Sequence, residues 1–352
     1  MNNILLDCER TKYPNTGLFQ FCLQLGNELI KQYDSRLESL FFYLPESQRQ
    51  LFGQNQQVVP QHHLHKFFQP GTQKFDVWHS TFQNSNYKPW NSNTRIVLTV
   101  NDLNFLIESK NDSARIKKHL QHVQKNVNRA DHIVCISEYT KQVVLEHLSV
   151  NDKPLEVIYD GYDTNEFPNF DQPAYRPGRK FIFSIGTVLP KKNFHVLPAL
   201  LKNNDYELVI AGNINKAYGE KIIEAAKLHG VTDRLTLTGP ISEEDRYWYY
   251  TQCMAFAFPS LAEGFGLPVV EAMHYGKPVF ISRLTSLPEI GGDLAYYFND
   301  FDATAMQQVF EKGMQHYHTA NPAAAIQQRA QQFNWVNTAK SYLAIYRNLH
   351  NK

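Results

Sequence analysis

The sequence predicts an α/β protein made of two doubly wound halves, each with a mostly parallel sheet. Short apolar runs alternate with amphipathic segments along most of the chain. A Pro-rich stretch at residues 167–179 interrupts this alternation near the middle. The length of 352 residues accommodates two or three domains. We therefore expect one domain at 1–166 and another at 180–333, with a linker at 167–179 between them.

The first half contains apolar runs of strand length, separated by segments with helical periodicity. The predicted strands are Ile4–Leu6, Leu40–Tyr43, Val77–His79, Ile96–Val100, Ile133–Ile136 and Val157–Tyr159. The predicted helices are Leu18–Tyr33, Ala114–Asn128 and Glu138–Leu148. Strands that alternate with helices favour parallel pairing, with helices on both faces of the sheet.

The second half repeats this alternation. Its predicted strands are Phe181–Ile185, Leu208–Ala211, Leu235–Leu237, Ala255–Phe258, Val279–Ile281 and Tyr296–Phe298. Its predicted helices are Ala217–His229 and Glu243–Gln252, and the tail, Ala323–Leu349, is also predicted to be helical. In open sheets of this kind, ligands bind at the carboxyl ends of the strands. The loops that follow the strands are therefore the places to look for functional residues.

Bulk properties exclude several functional classes. Hydrophobic residues make up 43% of the chain and charged residues 20%, as in soluble globular proteins. The net charge of +1 gives no general attraction to nucleic acid. The four scattered cysteines form no C-x-x-C pair and are typical of reduced thiols. The first apolar run is too short for a signal peptide, and no run has the length of a membrane span. We expect a cytoplasmic protein.

The segment from Glu263 to Glu271 is the most informative part of the chain. It follows the predicted buried strand Ala255–Phe258 and reads as a Gly-rich turn that leads into an apolar helix. Pro268 fits the first turn of that helix, because the missing N–H has no partner there anyway. The free N–H groups and positive dipole of such a helix start favour an anion such as a diphosphate. Two carboxylates beside it can accept hydrogen bonds from sugar hydroxyls, as a nucleotide-sugar requires.

Together, Phe258–Glu263, the E-G-F-G-L-P run and Gly276–Val279 resemble the E-x7-E motif of family 4 retaining glycosyltransferases. The resemblance implies the GT-B architecture, in which two Rossmann-like domains face a central crevice. It also implies that the C-terminal helix, at residues 334–352, crosses back to the first domain. A lone E-x7-E would be weak evidence, but the glycines and prolines at matching positions make this one specific.

The resemblance assigns roles to residues in the second half. Glu271 corresponds to the residue that holds the ribose hydroxyls, and Glu263 to the one that holds the transferred sugar. The backbone amides of Phe265, Gly266 and Leu267 would assist Glu263. The run from Gly186 to Asn193 resembles the family's G-T-x-x-P-R-K-N loop, with Thr187 beside the donor and Lys192 at the diphosphate position. Physically, a lysine on a strand-to-helix loop is a point charge for phosphate.

A first-half glycine also matches the family pattern. Gly17 follows Thr16 at the start of the first predicted helix, and a glycine lets the backbone approach a phosphate closely. The resemblance implies that Thr16 and Gly17 contact the donor. The alternative is an ordinary helix start that Thr16 caps.

The run Thr99–Leu103 departs from the family pattern. Many relatives have T-V-H-D-L, in which the histidine lies beside the transferred sugar. This chain has Asn101, which can donate and accept hydrogen bonds but carries no proton at neutral pH. The departure would mean a different donor sugar or slower chemistry. For Asp102 two interpretations stand equal: it orients an acceptor hydroxyl, or it caps the next turn.

The resemblance therefore implies a retaining glycosyltransferase that uses a nucleoside-diphosphate sugar. The acceptor would be a glycan or lipid-linked glycan in surface polysaccharide biosynthesis. No residue stands out as a covalent nucleophile, so we expect front-face transfer in which the leaving phosphate is stabilised electrostatically. We expect no metal and no cofactor. The alternatives are a two-lobed binding protein for sugars or nucleotides, and a GT-B sugar phosphorylase.

Three weaker signals have simpler explanations. Asp300 and Asp302 form a D-x-D, but a helix cap is the better interpretation. The histidines at 62, 63 and 65 are better interpreted as a solvated loop than as a metal site. Segment Arg115–Arg129 is basic and has no acidic residue. A solvated helix face is favoured there over peripheral contact with the inner face of a membrane.

Overall fold

The computed structural model describes residues 1–14, 16–67, 71–90, 93–163 and 165–350. These residues divide into two units. The first unit contains Met1–Gly161 and the chain from Asn334 onward, and the second contains Tyr162–Phe333. Each unit has its own parallel sheet. The last two residues of the predicted C-terminal segment, 351–352, lie outside the described residues.

In the described part of the first unit, seven strands form one sheet. They are β1 (Asn2–Asp7), β2 (Glu38–Leu44), β3 (Gln57–Pro60), β4 (Val77–Ser80), β5 (Arg95–Val100), β6 (His132–Cys135) and β7 (Leu155–Val157). Their order is β3-β2-β1-β4-β5-β6-β7, and all neighbours are parallel. The chain winds outward in opposite directions from β1 and β4. The carboxyl ends of these two strands are therefore the topological switch point, where such sheets bind ligands.

The second unit has six strands among its described residues. They are β8 (Phe181–Ile185), β9 (Glu207–Ala211), β10 (Leu235–Gly239), β11 (Ala255–Phe258), β12 (Val279–Ser282) and β13 (Tyr296–Phe298). The order is β10-β9-β8-β11-β12-β13, again all parallel. Every residue of β9, β11 and β12 is buried, as expected for strands covered on both faces. The switch point of this sheet lies between β8 and β11.

Helices connect the strands in both units. They are α1 (Gly17–Gln32), α2 (Phe105–Glu108), α3 (Ser113–Arg129), α4 (Glu138–His147), α5 (Lys216–Leu228), α6 (Glu243–Gln252), α7 (Leu267–His274), α8 (Leu287–Gly291), α9 (Ala303–Ala320), α10 (Ala323–Ala330) and α11 (Trp335–His350). Short 3-10 helices occur at Glu9–Lys12, Pro190–Lys192 and Phe194–Leu201. Side-chain oxygens cap several helix starts, as expected for Thr, Ser, Asp and Asn at that position.

Some predicted elements are wrong. Strand β3 was missed, because its residues are exposed or half-buried at the sheet edge and form no apolar run. The last strand of the first half is Leu155–Val157 and not Val157–Tyr159. The tail, which was predicted to be helical, forms two helices, α10 and α11, and α11 begins at Trp335, next to the predicted start of the C-terminal helix at residue 334. The break falls where the chain leaves the second unit, and Asn334 starts the new helix by accepting the Asn337 N–H at 2.9 Å.

The stretch 167–179, predicted as a linker, lies on the second unit. The Ala174 N–H donates to Asp245 Oδ1 at 2.8 Å, and the Tyr175 N–H donates to the Tyr249 hydroxyl at 3.1 Å. The Tyr249 hydroxyl donates in turn to the Tyr175 carbonyl at 2.6 Å. These bonds tie the stretch to α6, so it is part of the second unit.

A buried network of hydroxyl groups around His79 attaches α11 to the first sheet. His79 Nδ1 bonds the Tyr346 hydroxyl at 2.6 Å, and its Nε2 bonds Thr99 Oγ1 at 2.7 Å. Thr99 Oγ1 also bonds the Tyr342 hydroxyl at 2.8 Å, and the Tyr342 ring stacks on the imidazole. Burial lowers the pKa of His79 to about 3. The folded first unit therefore holds this ring neutral.

This network predicts that acid destabilises the first unit. In the unfolded chain a histidine has a pKa of about 6.5. Below that value the unfolded state binds a proton that folded His79 does not, so stability falls as pH drops from about 6.5 towards 3. The His79 contribution should fall by about 2 kcal/mol between pH 7 and about pH 5. Urea unfolding at both pH values measures the change.

His79→Gln should unfold more easily at pH 7 but lose this part of the acid sensitivity. The matched control is His318→Gln, because His318 is exposed on α9. It should keep the wild-type dependence on pH. An unchanged acid sensitivity in His79→Gln would contradict the assignment.

Candidate functional site

Two glycines in contact shape the loop after β8. Gly186 has φ +146° and Gly212, after β9, has φ +130°. A Cβ on Gly212 would lie 2.1 Å from the Gly186 carbonyl oxygen, so no other residue fits there. A Cβ on Gly186 would lie 3.3 Å from Lys192 Cε. Glycine at 186 therefore leaves room for the Lys192 side chain beside the end of β8. Thr187 lies exposed on the same loop.

Lys192 and Glu263 meet at the switch point of the second sheet. Lys192 follows β8 and Glu263 follows β11, and Lys192 Nζ lies 2.6 Å from Glu263 Oε1. The ammonium also lies 4.7 Å from the centre of the Phe258 ring. The two side chains are only 12% and 13% exposed. Because each charge is largely withdrawn from water, the pair holds both groups in place.

The loop after β12 fixes the backbone around Glu263. Thr285 Oγ1 accepts the Glu263 N–H at 3.1 Å. Ser286 Oγ lies 2.6 Å from the Phe265 carbonyl and 3.2 Å from the Glu263 carbonyl, and it donates to this pair. Thr285 has φ +54°, a conformation that costs a β-branched residue about 1–3 kcal/mol. Such strain is retained where surrounding structure requires it, here beside the candidate catalytic carboxylate.

Helix α7 begins directly after the loop that follows β11 and contains Glu263. Gly266 precedes it with φ +121°, and a Cβ there would lie 2.7 Å from Leu287 Cδ2. Leu267 and Pro268 form its first turn, and no side chain of the described residues caps it. Phe265 is buried against the edge of the Phe333 ring. An uncapped helix start with a positive dipole is suited to an anion.

Glu271, about one turn into α7, belongs to a separate buried cluster. The Tyr250 hydroxyl donates to Glu271 Oε2 at 2.7 Å, and Arg246 Nη1 lies 3.6 Å from Glu271 Oε1. Burial raises the pKa of Glu271, and Arg246 and Tyr250 oppose that rise. Glu271 in turn raises the pKa of Arg246. Arg246 and Tyr250 are four residues apart on α6, so they share one helix face.

Thr16 and Gly17 follow β1 in the first unit. Thr16 Oγ1 accepts the Phe19 N–H at 3.2 Å and caps α1. Gly17 has no positive φ, and a Cβ on it would meet no atom within 4 Å. Neither the backbone conformation nor the packing of the described chain requires glycine there. The open space beside Gly17 is available to a ligand.

Asn101 and Asp102 follow β5 in the first unit. Asn101 Nδ2 donates to the Thr81 carbonyl at 2.9 Å, and the Asn101 N–H donates to Gln83 Oε1 at 3.2 Å. Asn101 is buried, and these bonds fix its amide. Asp102 Oδ1 accepts the Asn104 N–H at 2.9 Å, which is a local turn contact.

The structure brings some predicted residues together and places others apart. Lys192 and Glu263 form an ion pair, whereas Glu271 accepts a hydrogen bond from Tyr250 and forms an ion pair with Arg246. Thr16, Gly17, Asn101 and Asp102 belong to the first unit. Two functional candidates, Arg246 and Tyr250, were missed by sequence reasoning. The i, i+4 spacing of Arg246 and Tyr250 was a usable signal for a shared partner, but nothing in the sequence named that partner as Glu271.

The weaker sequence signals have structural roles. Asp302 Oδ1 accepts the N–H groups of Thr304 and Ala305, which confirms it as the cap of α9. The imidazoles of His62 and His65 accept backbone N–H groups in their own loop. Within the described ranges, no group of three or more His, Cys, Asp or Glu side chains is arranged to hold a metal ion. No helix in the same ranges is long and apolar enough to cross a membrane.

Two family models match consecutive parts of the chain. The model of glycosyltransferase family 4 matches residues 34–166, and the model of glycosyl transferases group 1 matches residues 166–332. The serotype-specific mannosyltransferase WbdA of Escherichia coli is 33% identical over 237 residues, 62% of this chain and 28% of WbdA. O-antigen chain mannosyltransferase B of Escherichia coli is 30% identical over 176 residues, 46% of this chain and 44% of that protein. The chain thus spans less than half the length of these relatives.

Solved structures show the same fold along the whole chain. Sucrose-phosphate synthase from Thermosynechococcus elongatus superposes with a TM-score of 0.75 at 16% identity, covering 99% of both chains. Anabaena HepE in complex with UDP-glucose gives a TM-score of 0.73 at 16% identity, covering 99% of this chain and 100% of HepE. The predicted GT-B class is therefore confirmed. With both family models matched in sequence, this chain belongs to the family 4 glycosyltransferases, glycosyl transferases group 1.

Proposed function

We propose that this chain is a retaining mannosyltransferase that elongates a surface polysaccharide. The donor would be a nucleoside-diphosphate mannose and the acceptor a glycan or lipid-linked glycan. Sequence similarity to mannosyltransferases supports the sugar, because it extends over 237 residues at 33% identity. The UDP-glucose in the HepE complex is weaker evidence about the donor of this chain than the mannosyltransferase similarity, since HepE is only 16% identical.

The observation that carries this proposal is the Lys192–Glu263 pair at the switch point between β8 and β11. A donor diphosphate beside the start of α7 would meet N–H groups, the helix dipole and the Lys192 ammonium. Lys192 would then exchange part of its bond with Glu263 for one with phosphate. The carboxylate of Glu263 would become free to accept a sugar hydroxyl.

Transfer would follow a front-face course. The bond between the anomeric carbon and the phosphate oxygen breaks, and the acceptor oxygen bonds that carbon from the same face. The acceptor proton passes to the departing phosphate oxygen. Lys192 and the N-terminus of α7 would stabilise the charge that develops on the diphosphate, which is the largest contribution in many transfer reactions. In this proposal the chain's own cations meet the charge, so no metal is needed.

Glu271 would bind the ribose hydroxyls. Its carboxylate is already oriented by Tyr250 and Arg246, and such preorganised acceptors lose little entropy on binding. Asn101 would accept a hydroxyl of the donor or acceptor sugar at Oδ1, in place of the histidine found in many relatives, because its Nδ2 already donates to Thr81 and Gln83. The exposed basic residues of α3 suit peripheral contact with anionic lipid, and they would bring a lipid-linked acceptor near: Arg115, Lys117, Lys118, Lys125 and Arg129.

The donor and the metal requirement are tested together. Purified protein receives labelled GDP-mannose, UDP-glucose or UDP-N-acetylglucosamine, a mannose-terminated acceptor, and EDTA. We expect α-linked transfer of mannose without added metal. Lys192→Ala should lower kcat by about 10²–10³-fold, as for loss of a group that stabilises transition-state charge. Lys180→Ala is the matched control, because Lys180 is exposed and outside the site.

Each alternative gives a different result in this experiment. A rise in melting temperature with nucleotides, but no transfer from any donor, would favour a binding protein. Release of sugar 1-phosphate from a glycan with inorganic phosphate would favour a phosphorylase. Transfer from UDP-sugars alone would overturn the mannose assignment.

Gly17→Ala separates folding from substrate binding. Alanine fits the space beside Gly17 and favours the helix by up to about 1 kcal/mol, so the melting temperature should be unchanged or higher. The methyl group would hold a substrate phosphate away from the backbone, and we expect a rise of about tenfold in donor KM. Gly178→Ala is the control, since its Cβ makes only an ordinary contact with Glu207. Normal donor KM in Gly17→Ala would remove Gly17 from the site.

The hydroxyl of Thr285 is predicted to position Glu263. Thr285→Val removes the hydroxyl at nearly constant volume and should lower kcat about tenfold, the effect of one hydrogen bond on a catalytic group. Thr285→Ser keeps the hydroxyl and should keep most of kcat. Steady-state kinetics on both variants tests the role. Equal losses in the two variants would indicate packing and not the hydrogen bond.

A further inference from the structure

The first sheet also places a cation at its switch point, and the proposed chemistry does not use it. Arg10 lies just after β1, in the 3-10 helix Glu9–Lys12, and Phe82 lies just after β4. Strands β1 and β4 are the pair between which the winding of the first sheet reverses. Ligands bind at such points in open α/β sheets. In the second unit the corresponding place holds the Lys192–Glu263 pair.

Two aromatic rings hold the Arg10 guanidinium. Its Cζ lies 4.6 Å from the centre of the Tyr13 ring and 4.6 Å from the centre of the Phe82 ring. We call this arrangement of Arg10, Tyr13 and Phe82 the arginine clamp. Cation–π contacts on both rings restrict the side chain, so little rotamer entropy remains to be lost on binding.

The guanidinium has hydrogen-bond donors to spare. Arg10 Nε is buried and has no hydrogen-bond partner among the described residues. The nearest carboxylate oxygen in an ion pair with it, Glu9 Oε1, is 3.8 Å from Nη1, too far for a hydrogen bond. The other Glu9 oxygen bonds Lys12 Nζ at 2.8 Å. The Arg10 side chain is 26% exposed, so a ligand oxygen can reach the guanidinium, whose Nη groups can donate to it.

The charges around the clamp favour an anion. Arg10 and Lys12 are cationic, and both lie near the Tyr13 ring. Glu9 supplies one negative charge against these two. Asp7, at the end of β1, adds little negative charge at neutral pH, because burial and the neighbouring Glu9 raise its pKa to about 8. The cluster therefore carries a net positive charge that a ligand can balance.

We propose that the arginine clamp binds an oxyanion carried by the acceptor. The planar guanidinium can bond two oxygens of such a group at once. Two sources have this chemistry: the phosphodiester of a lipid-linked acceptor and the carboxylate of an acidic sugar. The inference rests on the proposed function, because it assigns a part of the acceptor to the first unit. Tyr13 is 46% exposed, so the clamp is open to solvent.

A comparison of three acceptors tests the clamp and distinguishes the sources. The acceptors are octyl α-mannoside, octyl α-mannosyl phosphate and an octyl mannoside that carries a glucuronate. We expect wild type to prefer one charged acceptor through a lower KM. Arg10→Gln should reduce that preference about tenfold or more, the loss expected for a charge-assisted hydrogen bond. Arg10→Lys keeps the charge but not the fork, so its preference should be intermediate.

The matched control is Arg36→Gln, because Arg36 is exposed and pairs with Asp34 in the loop before β2. It should keep the wild-type preference. Tyr13→Leu removes one ring and keeps the charge, so it tests the clamp if the Arg10 variants fold poorly. Equal kcat/KM for neutral and charged acceptors in wild type would overturn the proposal. So would a preference that survives in Arg10→Gln.

Failure of the proposed function can be distinguished from failure of the clamp, since no acceptor would then be mannosylated. Equilibrium dialysis decides the clamp in that case, because it needs no turnover. Labelled octyl α-mannosyl phosphate and the glucuronate compound are dialysed against wild type and Arg10→Gln. Binding of either compound that is about tenfold weaker in the variant supports the clamp. Equal affinities, or no binding to wild type, overturn it.

Discussion

The functional geometry of both units depends on the reversal of strand order in each sheet. Where winding changes direction, the loops after two neighbouring strands diverge, and side chains from distant parts of the sequence can meet. Between β8 and β11 this point holds Lys192 and Glu263. Between β1 and β4 it holds Arg10 and Phe82. In each unit a cationic side chain, Lys192 or Arg10, lies at the carboxyl edge of the parallel sheet.

Close backbone packing restricts the edge of the second sheet, between β8 and β11. Gly186 and Gly212 approach so closely that a Cβ on Gly212 would lie 2.1 Å from the Gly186 carbonyl oxygen, and both residues have positive φ angles. The strained backbone of Thr285 serves the same edge, since its hydroxyl accepts the Glu263 N–H. Both features require backbone conformations that most residues avoid. As a result, Glu263 is held at its backbone N–H by Thr285 and at its carboxylate by Lys192.

Sequence periodicity predicted most of the fold because buried parallel strands form apolar runs. It failed where burial is partial. Strand β3 is an edge strand whose residues are exposed or half-buried, and they form no apolar run. The start of the C-terminal helix was predicted at residue 334 from the family resemblance, and α11 begins at Trp335.

By itself, the sequence determined which functional side chains this protein has and on which loop or helix each of them lies. Glu263 and Glu271 flank a glycine turn, Lys192 sits on a loop, and Gly17 opens a helix. Only the tertiary structure decided which of these groups meet. Glu263 accepts a hydrogen bond from Lys192, while Glu271 accepts one from Tyr250 and forms an ion pair with Arg246. The reason is physical: local spacing orients a side chain relative to its own element, but its partners depend on how separate elements pack.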